Sequence, residues 1–194
     1  MRSFLVAVFA LFAGSFALST SAQTFDDLRV VAIGGKSITN WHGQADLQLL
    51  QLELGHALSA RTTVAIVAGA ANVWQPRSWF GNQYRDGNES VHALTASLLL
   101  RHAFRAEGRV RPYIEAASGP FFSEKRVPAS TSRFNFMSQA GAGLVFNGGG
   151  RMPLLIGYRF LHISNGGYAP RNPGLNVSAV VIGVQLRTAM PRRR

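Results

Sequence analysis

The chain has 194 residues, 20 Lys plus Arg against 9 Asp plus Glu, a formal net charge of +11 and no cysteine. That length suits one domain of ordinary size. The lack of cysteine excludes a disulfide framework, and carboxylates this few and scattered offer no glycosidase pair.

At the N-terminus, Met1 and Arg2 precede an apolar run from Phe4 to Leu18, and small residues follow through Thr20, Ser21 and Ala22. A positive start, a short apolar core and small residues before a cut predict a secretory signal peptide over residues 1–22. The run is shorter than the roughly 20 residues a membrane-spanning helix needs, and no later stretch is apolar enough to be one. Residues 23–194 then form a single domain. Cleavage removes Arg2 and leaves a net charge of +10. A basic chain seeks an anionic partner. Export argues against nucleic acid and favours a lipid surface rich in phosphates.

After Ala22 the chain shows no helix of convincing length. It reads as eight apolar segments of strand length, many alternating with period two and bounded by turn residues. They run at about Leu28–Gly34, Gln44–Leu54, Thr62–Ala71, Val91–Arg101, Val110–Phe121, Arg133–Phe146, Met152–Ile163 and Asn176–Leu186. The connections after the second, fourth and sixth are short: His56–Arg61, Ala103–Arg109 and Asn147–Arg151. The others are longer and polar or aromatic, as in Trp74–Glu89 and Ser123–Ser132. An even strand count with alternating short turns and long loops predicts an all-β fold, an eight-stranded antiparallel transmembrane barrel of the outer-membrane type. With the N-terminus in the periplasm, the long loops face outward.

A soluble sandwich or a lipocalin-like carrier alternates in the same way. The strand faces favour the membrane. Leu94, Ala96, Leu98 and Leu100 share one face, as do Phe134, Phe136, Ala140, Leu144 and Phe146. Their opposite faces carry Thr95, Ser97 and Arg101, and Asn135, Gln139 and Gly141. A small closed barrel keeps such polar groups inside. His42, His56, His92 and His102 have no metal-ligand spacing. The terminal Arg192-Arg193-Arg194 reads as a solvated tail, although such barrels usually finish on their last strand.

The informative stretch is Arg159 to Asn176. In a strand, residues i and i+2 share a face. His162 and Ser164 therefore project the same way, which is the minimum for an activated serine nucleophile. Asn165 and the amides of Gly166 and Gly167 follow, placed to line an oxyanion. Parity also says where this pair sits. An arginine facing lipid near the bilayer midplane costs about 2–4 kcal/mol, so Arg159 points into the lumen, toward Glu53 and Glu115. Leu154, Ile156, Tyr158, Phe160, His162 and Ser164 then face lipid. On the eighth strand Gly183, Gln185 and Arg187 look inward, so Asn176 faces out with Val180, Ile182 and Val184. A catalytic group on that wall implies a lipid substrate from the outer leaflet.

Phe160, His162, Ser164, Asn165, Gly167, Pro170, Asn172, Pro173, Gly174 and Asn176 together resemble the C-terminal signature of the PagL family, the lipid A 3-O-deacylases of Gram-negative outer membranes. The resemblance implies an esterase that hydrolyses the 3-position acyl ester of lipid A without a metal or other cofactor. It makes Ser164 the nucleophile, His162 the general base, and Asn165 and Gly167 contributors to the oxyanion hole. Its best-known form has an acidic residue matching Asn176, and here an asparagine orients His162 instead. Phe160, Arg171 and Asn172 become candidates for substrate binding, with Arg171 the preferred contact for a lipid A phosphate. Lipid A or lipopolysaccharide is the implied partner, the outer membrane the implied location, and a homodimer is compatible with the reading. A non-enzymatic barrel with a structural or adhesive role is the alternative, and it leaves the His–Ser–Asn cluster without a purpose.

Overall fold

The computed structural model describes residues 27–38, 45–80, 83–148 and 152–186, apart from the side chains of 78–80 and 83–86. The predicted signal peptide, Arg187 and the Arg192–Arg194 tail lie outside the described residues. The eight strands are β1 (Asp27–Ser37), β2 (Asp46–Ala57), β3 (Thr62–Phe80), β4 (Gln83–Ala103), β5 (Val110–Ser123), β6 (Phe134–Phe146), β7 (Leu154–Ser164) and β8 (Leu175–Leu186). Each pairs antiparallel with the next, and β8 returns to β1 to close the barrel. Closure satisfies the backbone groups of both edges, which a sheet in hydrocarbon requires.

The period-two pattern becomes two walls. Leu50, Ile66, Leu94, Ile114, Ile156, Val180 and Ile182 stand exposed on the outside, Leu94 at 67% and Val180 at 59%. An apolar belt of this extent suits lipid and would be a liability in water. It decides against the soluble carrier. Inside, Val31, Leu47, Val73, Phe121, Met137, Leu161 and Ile163 are buried and pack as one cluster.

A charged layer crosses that interior. Arg159 Nε donates to Glu115 Oε1 at 2.7 Å, and Nη2 lies 3.3 Å from Glu53 Oε1. Arg101 Nη2 lies 2.9 Å from Glu53 and 2.7 Å from Glu115. Gln51 and Gln139 accept from Arg159 Nη1 at 2.6 and 2.9 Å. Two arginines face two glutamates, so the layer is neutral, and it ties β2, β4, β5, β6 and β7 together. The lumenal partners expected for Arg159 are the ones it has.

One expectation fails. The sequence reads Trp74–Glu89 as a long polar or aromatic loop, but β3 and β4 continue their ladder to Phe80 opposite Gln83, with a register shift between Pro76 and Ser78. Charge and a proline hide the strand signal there. The ladder needs only backbone groups, and the shift places Pro76, which has no N–H to give, beside an irregularity.

Candidate active site

The site starts with the regularity of β7. The strand holds its pairing to its last residue, with Ser164 opposite Phe136 of β6. His162 is opposite Ser138 on one side and Asn176 on the other. The inward neighbours Leu161, Ile163 and Val177 are fully buried, and they fix the rotation of both strands. His162, Ser164 and Asn176 are therefore turned outward, half-buried against the wall.

His162 Nδ1 and Asn176 Oδ1 are 2.6 Å apart. An amide oxygen only accepts, so Nδ1 carries the proton and donates it. The neutral ring then presents Nε2 with a free lone pair, the form a general base needs. Gly174 closes over the ring. It has φ +72°, and a Cβ there would stand 2.8 Å from His162 Cε1. Only glycine combines that backbone with that approach. Ser164 lies two residues along, its Cα about 6.6 Å from that of His162. No hydrogen bond joins its hydroxyl to the imidazole among the described residues. The barrel thus joins His162 to Asn176 and sets Ser164 beside them on the same face.

The loop beyond Ser164 is organised by Asn165, which is 1% exposed. Its backbone N–H donates to Asn172 Oδ1 at 3.0 Å, and its Nδ2 donates to the Arg171 carbonyl at 2.7 Å. Its Oδ1 accepts from the Gly167 N–H at 2.9 Å. Gly166 and Gly167 have φ +67° and +83°, a left-handed turn that favours glycine. The donors expected to face an oxyanion, Asn165 and Gly167, are thus used in holding the turn, and Asn172 is used the same way. Arg171 is exposed in this loop, and Phe160 is half-buried on the outer wall between Ala140 and Ser178.

Three features went unread in the sequence. Gly174 looks like a turn glycine, and its contact with the ring follows only from the fold. Phe136, opposite Ser164, joins Phe134, Phe122 and Tyr168 in an outward aromatic patch with ring centroids 4.9–6.0 Å apart. Tyr168 also donates its hydroxyl to the Phe134 carbonyl. On the other side of Ser164, the cross-strand row Ser118–Ser138–His162–Asn176 spans four strands. The Ser118 and Ser138 hydroxyls are 3.1 Å apart. The signal for both features was the outward parity already assigned to β6.

Among the described residues no group of three or more His, Cys, Asp or Glu side chains is placed to hold a metal ion.

The barrel is similar to the crystal structure of the outer membrane enzyme PagL, at 19% identity over 81% of this chain and 99% of that one, with a TM-score of 0.59. It is similar to Neisserial surface protein A at 13% identity over 84% of this chain and 96% of that one, also with a TM-score of 0.59. At such identities both show the fold alone. No curated protein matches the sequence. The sequence does match the family described as "Lipid A 3-O-deacylase (PagL)" over residues 56–185, more than half of the chain and all of the stretch from β7 into β8. The non-enzymatic alternative gives way to that match: the chain belongs to the PagL family of lipid A 3-O-deacylases.

Proposed function

We propose that the protein removes the 3-position acyl chain of lipid A by serine esterase chemistry on the lipid-facing wall of its barrel, with Ser164 as nucleophile and His162 as general base. The observation that carries this reading is the 2.6 Å pair between His162 Nδ1 and Asn176 Oδ1, which leaves Nε2 as the proton acceptor on the face that also bears Ser164.

Ser164 Oγ attacks the ester carbonyl as Nε2 takes its proton, and the carbonyl oxygen becomes an oxyanion. Rotation about the Ser164 Cα–Cβ bond between staggered positions is the movement that closes hydroxyl on ring, and such contacts often tighten only around substrate. The bond to the glucosamine oxygen then breaks, and that oxygen leaves with the proton from His162. Water, deprotonated by the same nitrogen, attacks the acyl-serine. The fatty acid departs and Ser164 regains its proton. Asn176 keeps the ring in the right tautomer and orientation, as asparagine does in Cys-His-Asn proteases. It offers no negative charge to the imidazolium.

The Asn165–Gly167 turn forms the oxyanion cradle in this reading. Asn165 and Gly167 are its frame, and the Gly166 N–H, which is not used within the loop, is the donor. Arg171 meets a phosphate of the headgroup, Asn172 braces the loop that presents it, and Phe160 flanks an acyl chain. The predicted signal peptide delivers the chain across the inner membrane. Labelling with a fluorophosphonate tests the nucleophile. The intact mass of wild type should rise by one adduct on Ser164, and Ser164→Ala and His162→Ala should stay unlabelled. Equal labelling of Ser164→Ala would remove Ser164 from its role.

A further inference from the structure

Gly34, on β1, is a glycine that the barrel does not require. A Cβ built on it meets nothing within 4 Å, and its φ is not in the left-handed region. Its neighbour Gly35 is the opposite case, because a Cβ there would stand 2.4 Å from the Ser178 carbonyl oxygen. A glycine inside a strand weakens it, and one without an internal reason marks a place where something else comes close.

On the outer wall Gly34 lies in a shallow, open trough of about 680 Å³. Ala32, Gly34 and Ala70 make its floor, with Leu50, Val180 and Ile182 beside them. Register explains the shape. Gly34 lies opposite Val180 of β8, Ala32 opposite Ile182 and Leu50, and Leu50 opposite Ala70. The loop-side end is polar. Gln48, Asn72 and His92 form an outward row across β2, β3 and β4 and also border the trough. An apolar trough with amide and imidazole groups at one end matches an acyl chain and the ester or amide linkage that begins it.

We propose that the trough holds a second acyl chain of the lipid A molecule whose 3-position ester is presented to Ser164. The inference rests on the reading of Ser164 and His162 given above. The choice of occupant rests on continuity: β8 carries Asn176 and the trough residues Val180 and Ile182 on one outward face. His162 is opposite Asn176 and Gly34 opposite Val180, four residues further along β8. With adjacent strands about 4.8 Å apart and a rise of about 3.3 Å per residue, Gly34 is about 16 Å across the wall from His162. A lipid bearing several chains crosses that span. The trough then selects for multiply acylated substrates and fixes which ester reaches the serine.

Gly34→Trp fills the trough from a position with no barrel contact to lose. The full chain, purified in detergent, is assayed on lipopolysaccharide and on a short-chain p-nitrophenyl ester. The ratio of the two kcat/KM values should fall about ten-fold in Gly34→Trp, mainly through KM for lipopolysaccharide, the size of effect a hydrophobic subsite gives. Ile114→Trp, on the outer wall of β5, should keep the wild-type ratio. An unchanged ratio in Gly34→Trp would overturn the proposal, and so would equal loss on both substrates with normal heat-modifiable migration on a gel. A wild-type dimer that Gly34→Trp turns into monomer would assign the trough to a second copy of the chain and overturn it too. Wild type inactive on both substrates would remove the esterase reading itself, and the trough with it.

Discussion

His162 and Asn176 are directly opposed residues of β7 and β8, and their side chains meet at 2.6 Å on the outside of the barrel. The contact fixes which ring nitrogen is the base. It also separates two jobs that an acidic residue does at once, since asparagine orients the ring but cannot neutralise it. Asn176→Ala should lower kcat about 10²-fold, because a base of uncertain tautomer loses most of what general-base catalysis supplies. Asn176→Asp or Asn176→Glu should raise kcat above wild type. Steady-state kinetics on lipopolysaccharide checks both. An Asn176→Ala enzyme equal to wild type, with no gain in either acidic variant, would remove Asn176 from the site.

Gly174 should be intolerant of any side chain. Alanine there brings a carbon to 2.8 Å from His162 Cε1 on a backbone at φ +72°. The ring must move, and a displacement of about 1 Å is worth about 10²-fold in rate. Gly174→Ala should therefore lose kcat while the barrel still runs as a folded band. Wild-type kcat in that variant would show that the ring has room to spare.

Besides its backbone carbonyl, which accepts from the Tyr168 N–H at 3.4 Å, Asn165 makes three hydrogen bonds inside one loop. Asn165→Ala keeps the first of them, which uses the backbone N–H, and loses the two made by the side chain. Activity should fall about 10²-fold through loss of loop order, with little change in resistance to unfolding, since the loop lies outside the barrel ladder. A variant that loses stability in proportion to activity would make Asn165 a structural residue only.

Arg159 holds β7 from the other side of the wall, three residues before His162. Arg159→Met leaves Glu53 and Glu115 with Arg101 alone in a buried layer. Removing one member of a buried ion pair costs about 3–5 kcal/mol. Urea unfolding in lipid vesicles should show a loss of that size. A change below about 1 kcal/mol, the scale of an exposed pair, would mean that water screens the layer.

Much of this was legible in the sequence, and the reason is parity. A strand has two faces, so one residue of known side fixes all the rest. On β7 Arg159 supplied that residue, and from it followed the lumenal partners and the outward placement of His162 and Ser164; on β8 Gly183 and Gln185 did the same for Asn176. The extension of β3 and β4 past Trp74 was illegible because ladder pairing of polar segments leaves no hydrophobic trace. Gly174 touching His162, and the loop bonds that use Asn165 and Gly167, arise where the chain leaves the strand and parity stops applying. The trough at Gly34 depends on five neighbouring strands at once, which no single segment can announce.

The most direct test of the central claim is the mass of lipid A after incubating lipopolysaccharide with the purified protein. Wild type should remove one 3-hydroxyacyl group, and Ser164→Ala and His162→Ala should leave the lipid intact. Lipid A left whole by a folded wild type, or shortened by Ser164→Ala, would contradict it.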